Sequence, residues 1–137
     1  MDLLVTNYPN LHVVKSWTTE AGLDACILFV NDMHHCGYVA VPEHLRGTDL
    51  ERADISVHGG ITYQASPDWA NGREVVGYDC AHAGDAMRCP SKYVGTPMEA
   101  LYQPCEGDVW RDEEYCTQQC ESLASQLMNL KTNTLPE

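Results

Sequence analysis

The chain of 137 residues has no apolar run approaching the length of about 20 residues that a membrane span needs. It opens on Met1-Asp2-Leu3-Leu4-Val5, with no basic stretch leading into a long apolar one, so export by a signal peptide is not expected. Cations are scarce: 8 Lys and Arg stand against 20 Asp and Glu, for a net charge of −12. Such a surface repels phosphate backbones, which excludes general binding of DNA or RNA. A small anion remains admissible, because glycine amides and helix N-termini attract one locally whatever the global charge. There is no Cys-x-x-Cys pair, no His-Glu-x-x-His, no internal repeat and no low-complexity tract. The first two absences remove the commonest zinc and redox motifs.

Cysteine is abundant by contrast, with seven thiols at positions 26, 36, 80, 89, 105, 116 and 120. An odd number without an export signal argues against an extracellular disulfide framework and for reduced thiols used as small core residues. The expected location is the cytoplasm, with no membrane partner. With 44% hydrophobic residues the chain is long enough to bury a core as one domain, 1–137, without disulfide staples.

Leu11 to Thr19 and Ala25 to Val30 read as a hairpin, turning at Glu20 to Asp24. Asn31 to His35 turns into a third strand, Gly37 to Val41, which Pro42 ends. Pro42 to Leu50 is turn-rich, and Ile55 to Tyr63 reads as a strand broken at Gly59-Gly60. Glu74 to Tyr78 follows as a strand, and Ala86 to Gly107 as a long loop with one helical turn at Met98 to Tyr102. Asp108 suits an N-cap, and Cys116, Cys120, Leu123, Leu127 and Leu130 recur at helical spacing, so a helix is expected from Asp108 to Lys131. The tail 132–137 is expected to be loose. The pattern predicts an α+β fold: a mainly antiparallel sheet of about five strands with the C-terminal helix packed on one face.

Two polar segments carry the chemistry, Val57-His58-Gly59-Gly60-Ile61-Thr62-Tyr63 and Gly77-Tyr78-Asp79-Cys80-Ala81-His82-Ala83-Gly84-Asp85. Small residues around His58, Asp79, His82 and Asp85 leave those side chains uncovered, and glycine lets backbone approach a ligand. Imidazole and carboxylate suit a divalent metal ion as a candidate cofactor, held by these same four residues. Without metal the set does general acid/base work, one His as base and the other as acid, with an Asp orienting a ring. The plain alternative is that each is a turn residue or a hydrogen-bonding strut. A shared site requires the strand to end near Tyr78, since Asp79 and His82 on one extended strand face opposite sides.

Further ligand-binding candidates are the amides of Gly59 and Gly60, the hydroxyls of Thr62 and Tyr63, and Lys92 with Arg88 as nearby cations. Trp69, Trp17 or Trp110 could stack on a nucleobase, though core or rim packing is the simpler reading of each. Cys80, two residues from His82, is weighed as a nucleophile and set below its use as a core thiol. His34-His35-Cys36 could also ligate a metal ion, but it falls at an expected turn, where solvated side chains are the simpler reading.

Gly37-Tyr38-Val39-Ala40-Val41-Pro42, the two segments above and the helix at Glu121 to Leu127 together resemble a family of small uncharacterised proteins of tailed bacteriophages and prophages. The resemblance covers roughly Gly37 to Pro90 plus the helix. It implies a phage origin and hence an infected host cell as the place of action. By analogy with compact phage proteins that act on nucleotide second messengers of bacterial immunity, the first expectation is a hydrolase of a small phosphorylated substrate. The second is a non-catalytic sponge for such a nucleotide, and the third a protein inhibitor of a host factor, its acidic surface mimicking nucleic acid. The expected partner is thus a small anionic ligand, and a homo-oligomer is left open.

Overall fold

The structure, a computed structural model, describes residues 4–5 and 11–131. Five strands, β1 (Val13–Thr18), β2 (Asp24–Val30), β3 (His34–Ala40), β4 (Tyr63–Ala65) and β5 (Val75–Asp79), form one antiparallel sheet in the order β1-β2-β3-β5-β4. Two-residue strands β6 (Asp85–Ala86) and β7 (Val109–Trp110) pair in parallel beside it, and helix α1 (Glu113–Asn129) follows. This is the α+β architecture the pattern predicts. The tail 132–137, expected to be loose, lies outside the described residues. Among the described residues no helix is long and apolar enough to cross a membrane.

The central strands are buried on both faces, which is why they read as continuous apolar runs rather than alternating ones. Ala25 and Ile27 of β2, Val39 of β3, and Val76 and Tyr78 of β5 point to the helix side, where they meet Cys116, Cys120, Leu123, Ala124 and Leu127. Their neighbours Cys26, Leu28, Ala40 and Val75 point to the other side, under Leu4, Val5 and Ala70. Leu123 and Leu127 are wholly buried, each stabilising the helix contact by about 2 kcal/mol.

Two cross-strand pairs fix the register of β3 on β5. Gly37 lies opposite Tyr78, and Tyr38 opposite Gly77. A side chain on either glycine would collide with the facing tyrosine ring, so each glycine makes room for a ring lying across the partner strand. Tyr78 then reaches the helix and donates to the Cys116 carbonyl at 2.8 Å.

Four local expectations are corrected. Ile55 to Tyr63 is not a strand: Val57 to Gly60 closes a turn through Gly60 N to Val57 O at 2.8 Å, and the chain joins the sheet only where Thr62 N donates to Gly77 O at 3.0 Å, just before β4. The helix starts at Glu113, because Asp112 is the residue whose carboxylate accepts from Tyr115 N at 2.8 Å. Asp108 instead accepts from Cys105 N, and Val109 and Trp110 are extended against Asp85 and Ala86. His34 and His35 are buried in β3 rather than solvated. The reversal before them is shorter than expected: three residues, Asn31 to Met33, join the paired Val30 and His34, with Asn31 and Asp32 both left-handed, which Asn and Asp tolerate, and Met33 N donating to Val30 O at 3.0 Å.

Candidate functional site

The turn at Val57 to Gly60 exists because Gly59 and Gly60 take φ of +69° and +81°, which L side chains avoid. It presents His58 to the first turns of α1, where the Gln119 side chain accepts from His58 N at 2.9 Å. Strand β5 ends at Asp79, and the chain doubles back through a turn in which Asp85 N donates to His82 O at 2.9 Å. The strand therefore stops one residue beyond Tyr78, and Asp79 and His82 come to the same side.

Asp85 is the hub. One carboxylate oxygen, Oδ2, accepts from His58 Nε2 at 2.8 Å and from the His82 backbone N–H at 3.1 Å. The other, Oδ1, accepts from Arg111 Nε at 2.9 Å. The Asp85 side chain is 1% exposed and that of His58 13%. Burial pushes the Asp85 carboxyl up, but the bonds from His58, Arg111 and the His82 backbone outweigh it and hold the group below the usual carboxylate range. His58 Nδ1 lies 2.7 Å from the Tyr115 hydroxyl, with the two rings perpendicular at 5.4 Å. Carboxylate, imidazole and phenol thus form a continuous chain, Asp85 to His58 to Tyr115.

His82 lies beside it, 6.1 Å from His58 between ring centroids. Its Nε2 is 3.2 Å from Asp79 Oδ1 but off the line a hydrogen bond needs, and it is buried with no other polar partner. Asp79 is itself held by Thr62 Oγ1, which donates to Oδ2 at 3.0 Å, and by Ala81 N at 3.1 Å. Gly59 packs directly on the His82 ring, where any Cβ would overlap it. The two glycine-bearing segments are therefore facing walls of one site, with His58, Asp79, His82, Asp85, Gly59 and Thr62 brought together as the sequence suggests.

Other candidates fall elsewhere. Tyr63 and Trp69 both pack on Tyr38 in the cluster on the far side of the sheet from α1, so neither can stack on a ligand at His58. Gly60 closes the turn with open space where a side chain would be, rather than lining His82. Lys92 lies over Tyr93, and Arg88 over Phe29 and Trp110; among the described residues neither contacts the His58 network. Trp17 donates to Glu121. Cys80 is buried against Cys116, its thiol pushed up by the bond to Cys116 and by burial, the reverse of what a nucleophilic thiolate needs.

The four metal candidates do not converge. Both ring nitrogens of His58 and both oxygens of Asp85 are taken up by the network, and among the described residues no three His, Cys, Asp or Glu side chains are disposed to hold a metal ion.

Tyr115 and Arg111 were not singled out from sequence. The available signal was indirect: in a chain with 8 cations, an arginine three residues after Asp108 and one before the capping Asp112 calls for a buried partner. A cavity of about 70 Å³ borders Asp85, lined also by Met87, Leu101, Tyr102 and Pro104. It holds a few atoms, not a nucleotide, so a substrate would meet the network from an open surface. A larger cleft of about 370 Å³, with Arg46, Asn71 and Arg73 in its walls, lies at the Val75 end of β5, the opposite end from Asp79.

No family model, no curated protein and no solved structure matches this chain.

Proposed function

We propose that this chain is a phage-encoded hydrolase of a small phosphorylated substrate, with a nucleotide second messenger of antiphage immunity as the best candidate. The observation that carries the reading is the hydrogen-bonded chain from Asp85 through His58 to Tyr115, with Arg111 on the other Asp85 oxygen. A carboxylate that fixes the tautomer of an imidazole makes the far ring nitrogen a proton acceptor, the arrangement general-base catalysis uses. His82, 6.1 Å away and facing Asp79, supplies a second titratable ring to serve as acid. The phage origin and the nucleotide come from the resemblance and the analogy given above.

The binding-only reading is favoured by one observation, the cleft of about 370 Å³ with Arg46 and Arg73, a size suited to a small ligand. One experiment separates the two. The protein is incubated with cyclic and linear nucleotides, with and without chelator, and products are followed by chromatography. Cleavage that depends on His58 supports the hydrolase; intact nucleotide recovered on heating, and lost with Arg46→Ala, supports the sponge.

A further inference from the structure

We infer that Tyr115 is the nucleophile of this site, an oxygen whose proton passes to His58 and which takes a phosphoryl group from a phosphate ester. The inference rests on the hydrolase reading and adds the residue on which the substrate is held covalently.

The hydrogen-bond chain fixes who donates to whom. Ionised Asp85 can only accept, so His58 Nε2, 2.8 Å away, carries the ring proton. Nδ1 then presents its lone pair to the Tyr115 hydroxyl at 2.7 Å, and the phenol donates to it. With both ring nitrogens engaged, His58 has none left for a substrate or a water, and the group at the open end of the chain is the Tyr115 oxygen. Carboxylate, imidazole and hydroxyl stand in the order of the Ser-His-Asp triad, in which the hydroxyl attacks. Burial holds the Tyr115 hydroxyl above its usual range, Arg111 offsetting only part of it, so the phenol is protonated at rest and must lose its proton to the adjacent base, His58, during attack.

Arg111, which belongs to the same network, places a cation beside the Tyr115 ring. Its Cζ lies 4.9 Å from the Tyr115 ring centroid while Nε is spent on Asp85. Among the described residues its two Nη groups make no hydrogen bond, which leaves their donors for the non-bridging oxygens of a phosphoryl group at Tyr115.

In the first step the Tyr115 oxygen bonds to phosphorus as the ester P–O bond breaks. The phenol proton goes to His58 Nδ1, and the leaving oxygen is protonated by His82. In the second, water attacks phosphorus and gives its proton to His82, the P–O bond to Tyr115 breaks, and the phenolate recovers its proton from His58. The sum is ester plus water giving alcohol and phosphate, with no redox change.

The test needs no knowledge of the natural substrate. Folded protein is treated with diisopropyl phosphorofluoridate, and adducts are mapped by mass spectrometry over the seven tyrosines. One adduct at Tyr115 is expected, forming at least about 100-fold faster than on N-acetyltyrosinamide and slowed about 100-fold or more by His58→Gln. The comparison with the free amino-acid derivative holds even where that variant fails to fold. Adducts spread over several tyrosines, or a Tyr115 rate equal to that of N-acetyltyrosinamide, would overturn the inference. Nucleotide turnover that persists in Tyr115→Phe at the wild-type rate would also overturn it and leave the hydrolase standing. A fast Tyr115 adduct without turnover of any nucleotide would support the activated phenol and remove the nucleotide hydrolase.

Discussion

Asp85 grips His58 from 27 positions further along the chain, Oδ2 to Nε2 at 2.8 Å, with its side chain almost wholly out of water. Replacing it by Asn leaves Arg111 and His58 facing an amide instead of a charge. Breaking such a pair is expected to cost about 3 kcal/mol. Urea unfolding reads this as a lowered midpoint with an unchanged slope; an unchanged midpoint would mean the network contributes nothing to the fold.

Acid should dissolve the same advantage. The native Asp85 carboxyl lies below its usual range, whereas the unfolded chain titrates near about 3.9. The stabilisation is therefore complete above the unfolded value and fades as pH falls through the native one. The gap between wild type and Asp85→Asn is expected at neutral pH and should narrow below about pH 4. A gap that widens on acidification would contradict the ion pairs.

The two glycines of the His58 turn should respond differently to alanine. Both hold positive φ, so each substitution carries a backbone cost of about 1–2 kcal/mol. Only at Gly59 does the new methyl also overlap the His82 ring. Gly59→Ala is expected to melt lower than Gly60→Ala and to shift the His82 ring resonances by NMR, while Gly60→Ala leaves them in place. Equal effects would remove the packing of Gly59 on His82.

His82→Ala tests the proposed acid. Gly59 packs on the imidazole, but the side chain is still about a third exposed, so the loss in stability should stay well under the roughly 2–5 kcal/mol of a core deletion. Turnover should fall by about 10²–10⁴-fold. Wild-type turnover from a variant that melts normally would remove His82 from the chemistry.

Thiol titration of unfolded, unreduced protein should find all seven cysteines free. In the native state Cys105, the exposed one, should react first and Cys89 next, with the five buried thiols lagging by far. Fewer free thiols on unfolding would point to a disulfide and overturn the reduced state.

The sheet and the helix were legible in the sequence because burial imposes a period: β2 and β3 show continuous apolar runs, and Cys116 to Leu127 repeat at helical spacing. The His58 and His82 segments were legible because their glycines mark turns, but the expectation that small neighbours leave the polar side chains uncovered fails at Asp85 and His58, which are buried in their own network. The helix start was misplaced since Asp108 and Asp112 both satisfy a capping rule, and only pairing of Val109 with Asp85 decides between them. Trp69 and Tyr63 were assigned to the site because an aromatic near a turn does not announce its face of the sheet; the contacts with Tyr38 do. Tyr115 was hidden within a helix pattern that accounts for it as a half-buried flank residue.

His58 and Tyr115 are 57 positions apart, and the helix that carries Tyr115 is made after all five strands of the sheet. As the chain leaves the ribosome the strands can pair early, but His58 then has no phenol at Nδ1 and Asp85 no guanidinium. The segment from Arg111 into the first turns of the helix completes both contacts. A nascent or partly opened chain therefore lacks the assembled network, and any chemistry proposed for it belongs only to molecules that have finished folding.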